Sequence, residues 1–574
     1  MQTDFQVEGS NAAALFTMKL HRGDGMLLLG MNWKNGQPPL DFVGFAIEYK
    51  EPGGDRFFAL KNRLSFGGHT GEINPNILTT RLSPIQKFRW VHFPRNADLP
   101  GLFTYRVTPV FMNKKEELSY GDFQEAVIEL RRETYPNQLN VCFTRGFVSS
   151  QAFVSRFGND ENTIATLLPA KAANGLDFKP THPKKEEAYT WMGFEARQAI
   201  LDLLDEAIND ADAEVKIVAY DLNEPEMVSR IQKLGTRVQV IGDDSKDHGK
   251  KGSAENEAQG LISKTAGATN MIRQHMGSLQ HNKFIVVNGP IVKAAIGGST
   301  NFSWRGFFVQ SNNAVIVRGE TAIQPFLNAF ELYFTTKKNS TVAFSNSNAA
   351  ILQDLGLEGI DVKVTFSPHS ANNALLQTIA NDISDNTNSN LFFSLAFLYE
   401  TEGPIRDAIK QIKDDNTLFT YGLSDKRVGG LDITVPDDKV LVVNPANLKK
   451  NVPEPFKTEA SGGTGTRMHH KFIVIDFNKP TARVYTGSYN FSSPADISNG
   501  ENLWVIRDRR IAVSYMVQAL SMFDHYHFRV LQEAAKNAKK NLLLAKAPTA
   551  LGQKPWWEDD YTNARKILDR ELFS

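Results

Sequence analysis

HNKFIVVNGPIVKAAIGGSTNF, residues 281–302, and HHKFIVIDFNKPTARVYTGSYNF, residues 469–491, are two copies of one pattern. Each opens on His-x-Lys (His281 and Lys283; His469 and Lys471) and closes on Gly-Ser-x-Asn (Ser299 and Asn301; Ser488 and Asn490). The Lys follows the His by two residues in both copies, and the Ser follows it by 18 in the first and 19 in the second. A doubled block of this kind predicts a duplicated lobe that closes on itself to build one active site.

Outward from each block, the same alternation of strand and helix precedes it. Before the first come a strand in LNVCFTRG (139–146), an amphipathic helix in 194–208, a buried strand in AEVKIVAYDL, a helix in EPEMVSRIQKL and a strand in RVQVIGD. Before the second come VKVTFSPH (362–369), a helix in NNALLQTIANDI, the buried strand NLFFSLAFLY (390–399), a helix opening at Pro404, and TLFTYGL. The series repeats at an interval of roughly 190 to 225 residues. Strands alternating with helices predict sheets covered by helices, an α/β sandwich for each lobe. Residues 151–190 read as an insertion. Residues 243–260 and 445–467 read as polar loops at the rim of the site.

Residues 1 to about 135 read differently. Short alternating runs at 44–50, 56–62, 103–110 and 125–131, parted by Gly, Pro and Asn turns, predict a β-sandwich. LPGLFTYRVTPVF resembles the sixth strand of a fibronectin type III module, which implies that Tyr105 anchors its strand to the backbone. The tail carries a long helix from about 510 and ends on Trp556 and Trp557, which are expected to pack it back onto a lobe.

Composition narrows the function. Lys+Arg and Asp+Glu both number 64, so a dedicated nucleic-acid-coating protein, which would carry a basic excess, is disfavoured. Cys142 is the sole cysteine, which excludes an intramolecular disulfide and leaves too few ligands for a Cys-based zinc site. The first residues lack a basic stretch followed by an apolar one, and the longest apolar runs (26–30 and 391–398) fall short of a spanning helix. The expectation is a cytoplasmic protein, or one exported without a signal peptide, with peripheral membrane contact at most. Its oligomeric state is left open.

Two imidazoles, two ammonium groups and two Ser/Asn pairs suit the exchange of a phosphodiester. One neutral His attacks phosphorus and the other protonates the departing alcohol, then activates water. Lys283 and Lys471 would clamp the non-bridging oxygens, with Asn301 and Asn490 adding donors. Lys and His then supply the positive charge that Mg²⁺ supplies elsewhere, so no metal and no cofactor is expected. His470 should point to the opposite face of its strand, His525 and His527 to sit in structural roles on the tail helix, and Trp304 to fill the core.

These blocks resemble the phospholipase D superfamily, whose signature is HxK, four residues, Asp, then GSxN. The second copy carries all of it, with Asp476; the first has Asn288 in place of the Asp. The resemblance covers about residues 139–535. The expected architecture is a multidomain chain: an N-terminal all-β sandwich (1–135), two pseudo-twofold-related α/β lobes (136–345 and 346–540) and a tail (541–574). The resemblance also implies a phosphohistidine intermediate with His281 as nucleophile and His469 as general acid, while the asymmetry of the two blocks permits the reverse. Ser299 and Ser488 join the catalytic set. The family places an acidic residue about 30 positions after the His to orient its ring. Glu501 stands there in copy two, but Asn312 in copy one, with Gln310 nearby, so His281 is expected to lose its carboxylate partner. Asn312, Gln310 and His369 are carried as substrate contacts. Phospholipid is the favoured substrate, nucleic acid the alternative, and a catalytically degenerate binding protein the third reading.

Overall fold

The computed structural model describes residues 3–67, 78–130, 134–146, 153, 156–158, 161–336, 340–431, 442–443, 468–537, 539 and 542–574. The chain divides into two units, residues 1–132 with 513–574, and residues 133–512. The rim loop expected at 445–467 lies outside the described residues.

The first unit holds two antiparallel sheets. Gln6–Glu8, Phe16–Arg22, Leu27–Trp33 and Arg89–His92 make one. In the other, Leu102–Met112 pairs with Phe42–Lys50 and also with Leu118–Tyr120 and Gln124–Glu129, while the short Phe58–Ala59 adds to Phe42–Lys50. Alternate residues of both sheets turn inward (Phe16, Met18 and Leu20; Phe45 and Ile47; Phe103, Tyr105 and Val107) and share one buried cluster. None of the four strands of the first sheet was foreseen. The hydroxyl of Tyr105 meets the His92 side chain at 2.9 Å, so the expected anchor to backbone is replaced by a side-chain partner. Trp557 is buried in this same cluster, and Trp556 stacks on Phe88 and donates to the Phe42 carbonyl at 3.1 Å. The tryptophan pair therefore closes the tail on the N-terminal sheets, where an apolar gap takes it in, and not on a lobe as expected.

The second unit contains a seven-stranded and an eight-stranded sheet. The first runs Leu139–Phe143, Asn313–Arg318, Lys293–Gly298, Lys283–Asn288, Glu214–Ala219, Val238–Asp243, Met271–Gln274. After an edge strand, Gln353–Asp354, the second runs Asp361–Ser367, Glu501–Arg507, Arg483–Gly487, Lys471–Ile475, Asn390–Leu395, Phe419–Leu423, Val442–Val443. Strand for strand the order is the same. Lys283–Asn288 and Lys471–Ile475 stand at the centre and are buried on both faces. Helix Pro404–Ile412 shows the logic: Pro404 opens it, and Ile405, Ala408, Ile409 and Ile412, spaced for one face, are buried.

Local chemistry differs where the blocks differ. Asp476 sits at φ 55° and its carboxylate accepts the N–H groups of Asn388, Ser389 and Asn390 at 2.8–3.2 Å, pinning the start of the neighbouring strand. Asn288 forms no such pin; its hairpin is held by Asp210 Oδ2, which accepts from the N–H groups of Ile291 and Val292 at 3.0 and 2.9 Å. The stretch 243–260 is loop only in its first half. Ser253 caps helix Ala254–Ala266 through the Asn256 N–H, the acidic first turn of which favours a helix N-terminus.

Candidate active site

Two-residue spacing puts His and Lys on one side of an extended chain. In both blocks the Lys ammonium donates to the carbonyl of its own His, at 2.7 Å for Lys471 to His469 and likewise for Lys283 to His281. The glycine of each GSxN has positive φ, 136° at Gly298 and 146° at Gly487, and a Cβ there would fall 2.6 Å from the Asn313 carbonyl oxygen and 2.1 Å from that of Asn502. Only glycine lets the serine that follows tuck against the next strand.

The two sheets meet through backbone and amide groups. Gln280 bridges to Gly500, and Ser311 to Met468; His469 N–H donates to the Ser311 carbonyl at 3.1 Å and Gly500 N–H to that of Leu279 at 2.8 Å. Asn502 donates to Asn282 at 3.2 Å, and Asn313 to the Thr486 hydroxyl at 2.9 Å. These pairs bring the rings of His281 and His469 to 6.5 Å between centroids, steeply inclined.

The orienting partners are exchanged between the two sheets. His281 Nδ1 lies 2.8 and 3.0 Å from the two oxygens of Glu501, whereas His469 Nδ1 lies 2.8 Å from Asn312 Oδ1. The expectation that His281 lacks a carboxylate is thus overturned: Glu501, assigned by its place in sequence to His469, serves the other histidine. The serines hold these partners. Ser488 donates to Glu501 at 2.6 Å and Ser299 to Asn312 at 3.0 Å, and each accepts the N–H of the residue after its partner, Asn502 and Asn313, at 3.0 Å.

A family profile described as cardiolipin synthase, PLD-like domain, matches residues 204–333 and 433–523. Both matched regions are PLD-like in sequence. The chain is 31% identical over 126 residues to phospholipase D of Rickettsia bellii, an alignment covering 20% of this chain and 61% of that protein. It is 30% identical over 117 residues to phospholipase D of Rickettsia prowazekii, covering 19% and 55%. The chain thus spans less than two thirds of either relative. Among solved structures, phosphatidylserine synthase of Haemophilus influenzae aligns with 14% identity over 65% of this chain and 90% of that one, TM-score 0.37. Nuc, a phospholipase D family member from Salmonella typhimurium, aligns with 23% identity over 23% and 84%, TM-score 0.19.

Burial dominates the electrostatics of the phospholipase D-like site. It lowers His281, a pull that Glu501 opposes, and it lowers His469 far more, with Lys471 and Lys283 adding to the effect. It also draws Lys283 down to about 8 and Lys471 well below its ordinary range, the second helped by Lys283. Burial would raise Glu501, but the adjacent His281 and Lys283 outweigh it and keep the carboxyl ionised. Two histidines and two lysines crowd the buried carboxylate of Glu501, with Asp221 and Asp243 also acting on Lys283.

Asn301 Oδ1 and Asn490 Oδ1 are buried without hydrogen-bond partners, which leaves both carboxamides open to a ligand. Three expectations need correction. Asn312 acts on His469 and donates to the Gly306 carbonyl at 3.0 Å, so it positions the ring instead of meeting substrate. His369 is committed at both nitrogens, to Asp496 at 2.7 Å and Thr365 at 3.0 Å, within the core, so it is no substrate contact. Ser299 and Ser488 are likewise positioning residues. Gln310 is buried beside Asn312, its backbone carbonyl accepting from Thr144 at 2.7 Å. Trp304 fills the core as expected, donating to the Gly175 carbonyl at 2.8 Å, and His470 packs between the rings of Phe143 and Phe472.

Two aromatic walls escaped the sequence reading. Tyr220 meets His281 at 4.7 Å and carries Lys283 over its face at 4.8 Å; Phe397 meets His469 at 6.2 Å and Lys471 at 5.6 Å. Each follows the strand beside its HxK strand, after Ala219 and Leu395. Comparing the two repeats at that point would have found them.

Proposed function

We propose that the protein is a phosphodiesterase of the phospholipase D type, with a phospholipid as substrate. One observation carries the reading: two histidines 6.5 Å apart, each oriented at Nδ1 by the opposite lobe and each flanked by its own buried lysine. With Nδ1 engaged, Nε2 of each ring is the atom free for chemistry. His281, backed by Glu501, attacks phosphorus: the N–P bond forms as the P–O bond to the alcohol breaks. His469 delivers its proton to that oxygen and then takes one from water, whose attack breaks the N–P bond and restores His281. His469 starts with little affinity for a proton; the incoming phosphate anion raises it by offsetting Lys283 and Lys471. The lysines with Asn301 and Asn490 hold the non-bridging oxygens, and no metal takes part in bond exchange.

The names borne by similar proteins, phospholipase D in Rickettsia and the cardiolipin synthase family, favour a lipid. Zero net charge points the same way. On this reading the HxK sheets are pseudo-twofold-related lobes, supported by their matching strand order, and the N-terminal sheets a sandwich appended to them. The test is incubation with phosphatidylcholine or phosphatidylglycerol vesicles, and separately with plasmid and single-stranded DNA, each with and without EDTA. Release of phosphatidic acid is expected. Cleavage of DNA alone would make the protein a nuclease, and cleavage of neither would sink the phosphodiesterase reading for these substrates.

A further inference from the structure

A third histidine stands one ring away from the catalytic pair. His248 packs edge-on against Tyr220, centroids 4.5 Å apart, on a ring whose other contact is His281. Its Nδ1 lies 2.8 Å from Asp243 Oδ2, a fully buried carboxylate oxygen that also accepts from the Ser245 hydroxyl and N–H. That contact fixes the ring and turns Nε2 toward Asp221, whose Oδ1 is 3.1 Å away. Glu255, from the first turn of helix Ala254–Ala266, completes the group: one ligand atom from each of Asp221, His248 and Glu255 lies within 4.8 Å of the other two.

Glu255 is the member that asks for an explanation. It is only 6% exposed, its carboxylate accepts from backbone N–H groups alone, that of Leu222 at 3.4 Å, and its cationic neighbours, His248 and Arg273, act on it through space without an ion pair among the described residues. A buried carboxylate so poorly matched is costly unless a cation completes it. We propose that Asp221, His248 and Glu255 form a binding site for a divalent transition metal of the zinc class, with Asp243 orienting the histidine from behind.

The chemistry of the donors supports that class. One imidazole with two carboxylates suits zinc; calcium and magnesium prefer oxygen alone, and the softer metals prefer sulfur. The 3.1 Å between Nε2 and Oδ1 is close to the spacing of two ligands on a tetrahedral metal with bonds of about 2.0–2.1 Å. An imidazole bound at one nitrogen and held by a carboxylate at the other is the usual outer arrangement of a zinc histidine. Three protein ligands leave a fourth place for water. The ion would sit behind Tyr220 and would fix the wall that carries Lys283 and His281. Its task is to hold that wall in place, and the site stands whether or not the protein proves to be a phosphodiesterase.

The full chain, stripped with chelator and dialysed, is titrated with Co²⁺ and followed by visible absorption, with Zn²⁺ then added in competition. One equivalent of Co²⁺ with ligand-field bands, displaced by Zn²⁺, is expected, together with a higher thermal midpoint for the zinc form. Glu255→Gln and His248→Gln should each weaken binding at least tenfold, while His275→Ala, whose ring pairs with Asp244 at 2.6 Å outside the group, should leave it unchanged. Circular dichroism checks that the variants fold, and Glu255→Gln decides if His248→Gln does not. Absence of Co²⁺ bands on the wild-type chain, or wild-type affinity in Glu255→Gln, overturns the proposal.

Discussion

Glu501 accepts a hydrogen bond from His281 Nδ1 at 2.8 Å, across 220 positions of sequence and from the other HxK sheet. Its own block's histidine, His469, is served by Asn312 of the first HxK sheet. Each sheet therefore supplies the histidine of one half and the orienter of the other. Neither half is a complete site, which gives the duplication a physical purpose beyond copy number.

Exchange of partners predicts which step each orienter governs. Glu501→Gln should lower kcat by roughly 10²–10⁴ and suppress ³²P labelling of His281, because the ring loses the carboxylate that stabilises its positive form. Asn312→Asp should act on His469 instead. A carboxylate there raises that ring's affinity for a proton, so the alkaline edge of kcat should move to higher pH. If Glu501→Gln accumulates phosphoenzyme, the carboxylate serves the second step and the assignment is reversed.

The two histidines should separate by substrate. His281→Ala is expected to abolish labelling and turnover for every phosphodiester. His469→Ala should still label His281 when the leaving group is p-nitrophenolate, which needs no proton, and then stall at hydrolysis. Quench-flow with acid-labile phosphate counting distinguishes the two, and turnover by the double variant would refute the mechanism.

Lys283 ties function to stability. Burial lowers its folded pKa to about 8 from the ordinary 10.5, so between those values the unfolded chain binds more protons and stability rises with pH. Below pH 8 the full cost is present, on the order of 3 kcal/mol at 1.36 kcal/mol per pK unit. Lys283→Met should therefore be more stable than wild type in urea at pH 7 while turning over nothing, and its advantage should shrink from pH 8 to 10. An advantage that is constant across that range would show that the ammonium is not the source.

His369 is expected to behave as a core residue. Its ring is fully buried against Asp496, whose carboxylate also accepts from the N–H groups of Leu375 and Leu376 at 3.3 and 3.1 Å. His369→Ala leaves that carboxylate without its ring partner and should cost about 3–5 kcal/mol in urea unfolding. KM for the phospholipid should be unchanged in the folded fraction; a large rise in KM would restore His369 as a substrate contact.

Much of this protein was legible in the chain itself. His281, Lys283, His469 and Lys471 were found from spacing alone, because extended backbone sends residues two apart to the same side and the pattern occurs twice. The strand–helix order of both HxK sheets followed from apolar runs and capping residues such as Pro404. Residues without a periodic signal were missed: the strand Arg89–His92 and the walls Tyr220 and Phe397 sit where their chemistry depends on what arrives from elsewhere.

What the tertiary structure alone decided is pairing. Sequence put Glu501 with His469 because both lie in one block, and it put Trp556 and Trp557 on a lobe because a lobe precedes them. Hydrogen bonds and burial are settled by distance in space, and once the two sheets join at Gln280–Gly500 and Ser311–Met468 the acidic residue of one block faces the histidine of the other. Residue types and local periodicity determined the chemistry available to this protein; the closure of one sheet on the other determined which group acts on which.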